Sequence, residues 1–228
     1  MRVFAIADPH LSRAQPKPMS IFGGNWEGHP DIFFTRWQET VQEDDLVLIP
    51  GDISWAMSLE DALFDLQDIA ALPGQKVLIK GNHDYWWGSV SKVRKALPES
   101  MYVLQNDALT FKDIAIAGTR GWVCPSSHEF SDQDKKIYER EVGRLRLSLE
   151  AAAAFGKDKL IVMLHYPPTN AALEPSGFTE LVAEFKADVL VYGHLHGERV
   201  DLPKPDLGDT SVYFVAADAL AFSPKQIL

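Results

Sequence analysis

Short apolar runs rich in β-branched residues recur along the chain, at 3–7, 46–49, 76–79, 102–104, 114–117, 160–164, 189–192 and 212–216. Several have no polar alternation, which fits strands covered on both faces, as in mostly parallel sheets flanked by helices. Amphipathic stretches lie between them. One helix is predicted over 31–41. A second starts at Ser58 as N-cap, carries Glu60 and Asp61 in its first turn and stops at Pro73-Gly74. The longest is predicted over about 132–155, where Tyr138, Val142, Leu145, Leu149 and Ala152 share one face. This alternation predicts an α/β (α+β) fold, and 228 residues suit one well-packed domain over 1–228. Two long loops, 11–30 and 119–131, are candidates for the rim of a site, since long ordered loops are more often functional than idle.

The strand candidates end on chemistry. Five of the seven histidines sit in four short motifs beside a Gly, Asp, Asn or Pro: Asp8-Pro9-His10, Gly81-Asn82-His83-Asp84, His165-Tyr166-Pro167-Pro168 and Gly193-His194-Leu195-His196. Gly51-Asp52 follows the second run in the same way. A Gly-Asp pair alone is usually a turn, and a lone strand-end histidine is seldom a ligand. Gathered together, the imidazoles, carboxylates and one carboxamide are what a binuclear metal site needs. Two-residue spacing places Asp8 with His10, and His194 with His196, on one side of an extended strand. Mixed nitrogen and oxygen ligation without thiolate suits two divalent ions, Mn, Fe or Zn, sharing a carboxylate and a hydroxide at a separation of about 3.5–4 Å.

A net charge of −10 argues against a broad nucleic-acid surface. It does not argue against an anionic small molecule, because two divalent ions dominate the field locally. The single cysteine, Cys124, allows no intrachain disulfide and reads as a small buried residue rather than a reactive thiol. No apolar stretch approaches a membrane span, so a soluble, cytoplasmic protein is expected.

In order and spacing, the motifs resemble those of the calcineurin-like metallophosphoesterase superfamily: D-x-H, GD, GNH(D/E), H and GHxH, here running from Asp8 to His196. The small prokaryotic members are the nearer likeness. The resemblance implies a four-layer sandwich of two mixed sheets between helices, with the ligands at the strands' C-terminal ends. It implies one ion on Asp8, His10 and His196, another on Asn82, His165 and His194, and Asp52 bridging them. His83 would be the proton donor to the leaving oxygen, with Asp84 orienting its ring and raising its pKa. The activity implied is hydrolysis of a phosphomonoester or phosphodiester by in-line attack of a metal-bridging hydroxide. The competing reading is a non-catalytic metal-binding scaffold of the same fold, as a retromer subunit is. The GDxxDRG and GNHE signatures of the Ser/Thr protein phosphatases are not matched here.

Substrate contacts are less defined. Arg120 is a candidate phosphate clamp or an ordinary loop ion pair. Trp55, Trp86 and Trp122 are candidates for a stacking surface, or else they pack the loops. Lys80 is expected to be solvated, and His29 and His128 to be surface or loop residues.

Overall fold

The computed structural model describes residues 1–126, 130–197, 201 and 203–228; His128 lies outside them. Each predicted apolar run contributes a strand. These are β1 (Val3–Ala5), β2 (Leu46–Ile49), β3 (Gln75–Leu78), β4 (Met101–Val103), β6 (Ile114–Thr119), β7 (Lys159–Leu164), β8 (Val189–Tyr192) and β9 (Ser211–Phe214). Two short strands were not expected, β5 (Leu109–Phe111) and β10 (Lys225–Gln226). The helices are α1 (His29–Thr40), α2 (Leu59–Ala70), α3 (Val90–Ala96), α4 (Asp132–Ala153) and α5 (Gly177–Glu184), of which α3 and α5 were also not expected.

The strands form two five-stranded mixed sheets, ordered β10-β1-β2-β3-β4 and β5-β6-β7-β8-β9. Within each, four neighbours run parallel and one edge strand is antiparallel, β10 against β1 and β5 against β6. Period-two alternation then sorts the side chains into layers. Val3, Ala5, Leu46, Leu48 and Val77 meet Ile116, Ile161, Met163, Val189 and Val191 between the sheets. The opposite residues, Phe4, Val47, Ile49 and Leu78, pack outward on Phe33, Trp37, Leu66, Ile69 and Val93 of α1 to α3. On the far side Ala117, Val162, Leu164 and Leu190 pack on Leu145 and Leu149 of α4 and on Phe178 and Leu181 of α5. Four layers result, helix on sheet on sheet on helix.

Three helices start on a side chain that caps the chain locally. Ser58 accepts from the Asp61 amide at α2, while Ser131 with Asp134, and Ser176 with Thr179, close capping boxes at α4 and α5. No helix among the described residues is long and apolar enough to cross a membrane.

The sheets meet at one point that matters for the site. After Ile6 pairs with Leu48 in the first sheet, Ala7 donates to the Val215 carbonyl at 2.7 Å and accepts from the Ala217 amide at 2.9 Å. The predicted strand over 3–7 is therefore cut short at Ala5, because its last residue bridges to Ala216 beyond β9. This crossing brings the C-terminal rims of both sheets together.

Leu149 lies fully buried on the sheet face of α4. Leu149→Ala should lower the unfolding free energy by about 2–5 kcal/mol, read from urea denaturation at unchanged m-value. A loss under about 1 kcal/mol would contradict this packing.

Candidate metal centre

All seven expected ligands leave the C-terminal ends of β1, β2, β3, β7 and β8 and are found at this rim. They do not reach it on extended strands, as the two-residue spacing suggested. Asp8, His10, Asp52 and His194 have φ of 59°, 45°, 51° and 74°. Left-handed backbone at non-glycine residues costs about 1–3 kcal/mol each and is found where function fixes a side chain. Main-chain bonds hold the turn: the Asp8 amide donates to Gly51 at 3.0 Å, and the His10 amide donates to Asp52 at 3.1 Å.

Two glycines let the loops close on the carboxylates. A Cβ on Gly193 would lie 2.2 Å from Asp8 Oδ2, and one on Gly81 would lie 2.1 Å from Asp52 Oδ1. Each carboxylate thereby accepts one amide: Asp8 Oδ2 from His194 at 2.9 Å, and Asp52 Oδ1 from His83 at 2.7 Å. The other oxygens, Asp8 Oδ1 and Asp52 Oδ2, are buried and have no hydrogen-bond partner among the described residues.

Around those two oxygens the ligand atoms fall into two groups, Asp8, His10 and His196, and Asp52, His165 and His194, each within 4.8 Å of one another. His10 Nε2 and His196 Nε2 are 3.1 Å apart. His165 Nε2 is 2.7 Å from Asn82 Oδ1 and 3.3 Å from His194 Nδ1. Asp52 Oδ2 stands between the groups, 3.8 Å from His10 Nε2 and 3.4 Å from His165 Nε2. Facing lone pairs and bare carboxylate oxygens are a donor set that a pair of divalent cations fits. Two of the imidazoles are oriented from behind. His165 donates from Nδ1 to the Pro50 carbonyl at 2.9 Å, and His196 donates from Nδ1 to Asp218 Oδ1 at 3.3 Å, which turns both Nε2 atoms inward.

Burial raises the Asp8 carboxyl to about 7, with the Asp52 charge adding to it, against the pull of His165 and His196. Burial opposes ionisation of Asp52 as well, yet His165 and His10 hold that carboxyl well down. His165 is disfavoured as a cation by burial but is held up at about 9 by Asp52 and Asp8. Burial lowers His10 and takes His194 to about 3.

Several expectations around the ligands need correction. Asp84 does not touch the His83 ring. Its buried carboxylate accepts from the backbone amides of Asp52, Ile53, Ser54 and Gly81 and from Trp86 Nε1, at 2.8–3.2 Å. It therefore ties the Gly51-Asp52 turn to the Gly81-Asn82 turn. The His83 ring instead has Nδ1 3.3 Å from the Tyr85 hydroxyl, and burial moves its pKa down rather than up. Trp86 is buried in the core, so it offers no stacking face. Trp55, half-buried, stacks on His10 at 4.9 Å and lies 4.5 Å from His83. Trp122 sits on Tyr166 and under the Arg120 guanidinium, and Arg120 pairs with buried Glu141 at 3.5 Å. His29 is not a surface residue. It is buried at the start of α1, with Nε2 3.1 Å from the Pro9 carbonyl, bracing the Asp8-Pro9-His10 turn. Lys80 is only partly exposed and donates to the Trp87 carbonyl at 2.9 Å. Cys124 is buried, as expected, and burial pushes its thiol up to about 11. Asp218 went unnoticed in the sequence, although it too follows an apolar run at a strand end.

To ligate a metal ion, Asp8, His165 and His196 would have to shed protons, whereas burial already favours the neutral forms of His10 and His194. Metal affinity should therefore rise with pH across the window set by about 7 for Asp8 and about 9 for His165, with net proton release at pH 7. Calorimetry in buffers of different ionisation enthalpy checks this. A pH-independent affinity with no proton release would contradict it.

The comparisons with known proteins agree with the fold. The family model described as calcineurin-like phosphoesterase matches residues 1–198. No match was found among curated proteins. Among solved structures, the protein TT1561 of Thermus thermophilus is similar in fold, with TM-score 0.61 and 14% identity over 96% of this chain and 90% of that one. A phosphopantetheinyl hydrolase from Mycobacterium tuberculosis gives TM-score 0.58 and 13% identity over 100% and 95%. A protein of unknown function from Aquifex aeolicus gives 0.50 and 15% over 98% and 94%. With the family model covering most of its length, the chain belongs to the calcineurin-like phosphoesterase family.

Proposed function

We propose that the chain hydrolyses a small phosphomonoester or phosphodiester with two divalent ions, one held by Asp8, His10 and His196 and the other by Asn82, His165 and His194, with Asp52 shared. The observation that carries this reading is the pair of buried, partnerless oxygens on Asp8 and Asp52 inside a cage of imidazoles. Ions bound there supply Lewis acidity toward the phosphoryl oxygens and a water acidic enough to serve as nucleophile near neutrality.

The remaining tasks belong to the side chains. His83 follows ligand Asn82 directly, and its ring centroid is 5.9 Å from that of His10, so it borders the ligand cage without being part of it. Its role is to give a proton to the leaving oxygen. Burial favours the neutral ring in the resting protein, with Asp52 pulling the other way. An arriving phosphoryl anion favours the imidazolium, so the acid is charged when substrate is present. Because His83 must be protonated, turnover limited by leaving-group departure falls as pH rises. Trp55, stacked on His10 and in tilted contact with His83, keeps the two rings in place and covers the apolar side of the site. His29 and Asp218 hold the ligand loops, and Asp84 holds the two turns that present Asp52 and Asn82.

His83→Ala should reduce kcat by roughly 10²–10⁴ on an alkyl phosphoester while metal content is unchanged. The loss should be much smaller on p-nitrophenyl phosphate or its bis-ester, whose leaving group departs without a proton. Equal losses on both substrate types would remove His83 from the acid role. If metal-loaded protein hydrolyses neither type, the phosphoesterase reading itself fails.

A further inference from the structure

The candidate metal centre uses the ends of β1, β2, β3, β7 and β8. The same rim continues past β3 to β4 and past β7 to β6, and there it opens into a cavity of about 320 Å³. Lys80 reaches it from the end of β3, two residues before ligand Asn82, and Asn106 from beyond β4. Arg120 comes from just after β6, and Arg140 and Arg144 reach in from α4. Four cationic side chains thus line a cavity with one carboxylate, that of Glu141, in a chain whose net charge is −10.

Glu141 is fully buried and organises the cluster rather than neutralising it. Its Oε1 takes Arg144 at 2.7 Å, Arg120 at 3.5 Å and Arg140 at 3.8 Å, so one negative charge is shared by three guanidiniums. Arg120 keeps a buried Nε with no hydrogen-bond partner among the described residues. Like charges collected in a partly enclosed space repel unless an anion joins them, and planar guanidiniums suit a phosphoryl group above other anions. The cavity is also tied to the centre through the main chain, since the Arg120 carbonyl accepts from the amides of His165 and Tyr166, both at 3.0 Å.

We propose that this cavity is an oxyanion site, separate from the metal centre and beside it on the rim, that binds a phosphate group. The group is either a second anionic group of the substrate, which rests on the phosphoesterase reading above, or free phosphate. In both cases Lys80, Arg120 and Arg144 supply the contacts, and Arg140, more than half exposed, stands at the mouth.

The test is calorimetric titration of metal-loaded protein with inorganic phosphate, comparing the wild type with Lys80→Ala/Arg144→Ala. The wild type should take two phosphates per chain and the double variant one. If the metal-centre reading is wrong, the wild type should take one, and the variant should lose that one. Arg140→Ala keeps the Arg144–Glu141 pair and guards against misfolding of the double variant; it should weaken the cavity phosphate by about two- to fivefold, the scale of one exposed charge at the mouth. Identical phosphate binding by the wild type and both variants overturns the proposal. The two sources separate in kinetics: for a substrate-borne group, Arg144→Ala raises KM by about tenfold for a bisphosphorylated ester and leaves a monophosphorylated one unchanged. For free phosphate, neither KM moves while the titration still loses a site.

Discussion

Two carboxylates, Asp8 and Asp52, lie out of water where the two sheets meet, each with an oxygen that lacks a well-formed hydrogen bond among the described residues. An ionised carboxylate held in this way is strongly disfavoured unless a cation stands beside it. His165 meets part of that demand, being held up at about 9 between the two acids. The rest of the rim is arranged around the same need: His10, Asn82, His194 and His196 turn toward the space that Asp8 and Asp52 define, and His165 adds a further lone pair once it sheds its proton.

The fold sustains such an arrangement by spreading its strain over rigid parts. Parallel strands bring many C-terminal ends to one edge, and the Ala7–Ala216 bridge closes two such edges on each other. Left-handed backbone at Asp8, His10, Asp52 and His194 is then held by main-chain bonds to neighbouring turns and by Asp84, whose carboxylate collects four amides. His29 and Asp218 complete the support from α1 and from the segment after β9. A loop carrying the same residues without this backing would relax, because each strained turn costs about 1–3 kcal/mol.

Most of the architecture was legible because burial on both faces leaves a plain mark: β2 and β8 coincide with apolar runs to the residue. What escaped has physical reasons. β10 is a two-residue pairing, Lys225–Gln226, exposed and polar, and only its partner β1 makes it a strand. α5 is short, though Ser176 and Thr179 carried a capping signal that could have marked its start. Among site residues, the motifs marked the side chains that gather at the rim, whereas the supporting contacts were not readable. Asp84 lies next to His83 in sequence, yet amides outnumber any single imidazole as partners and claim its carboxylate. Lys80 and Arg120 look alike as strand-end cations, and their shared cavity depends on α4 packing over β6.

Placing the chain in the calcineurin-like phosphoesterase family makes a two-ion centre the account's central claim, and metal stoichiometry tests it most directly. Protein purified and then dialysed against excess Mn²⁺ or Zn²⁺ should retain two ions per chain by elemental analysis, and Asp52→Asn, which removes the shared carboxylate charge, should retain fewer. A wild-type chain that still holds one ion or none once the pH passes both about 7, the Asp8 value, and about 9, the His165 value, would contradict it.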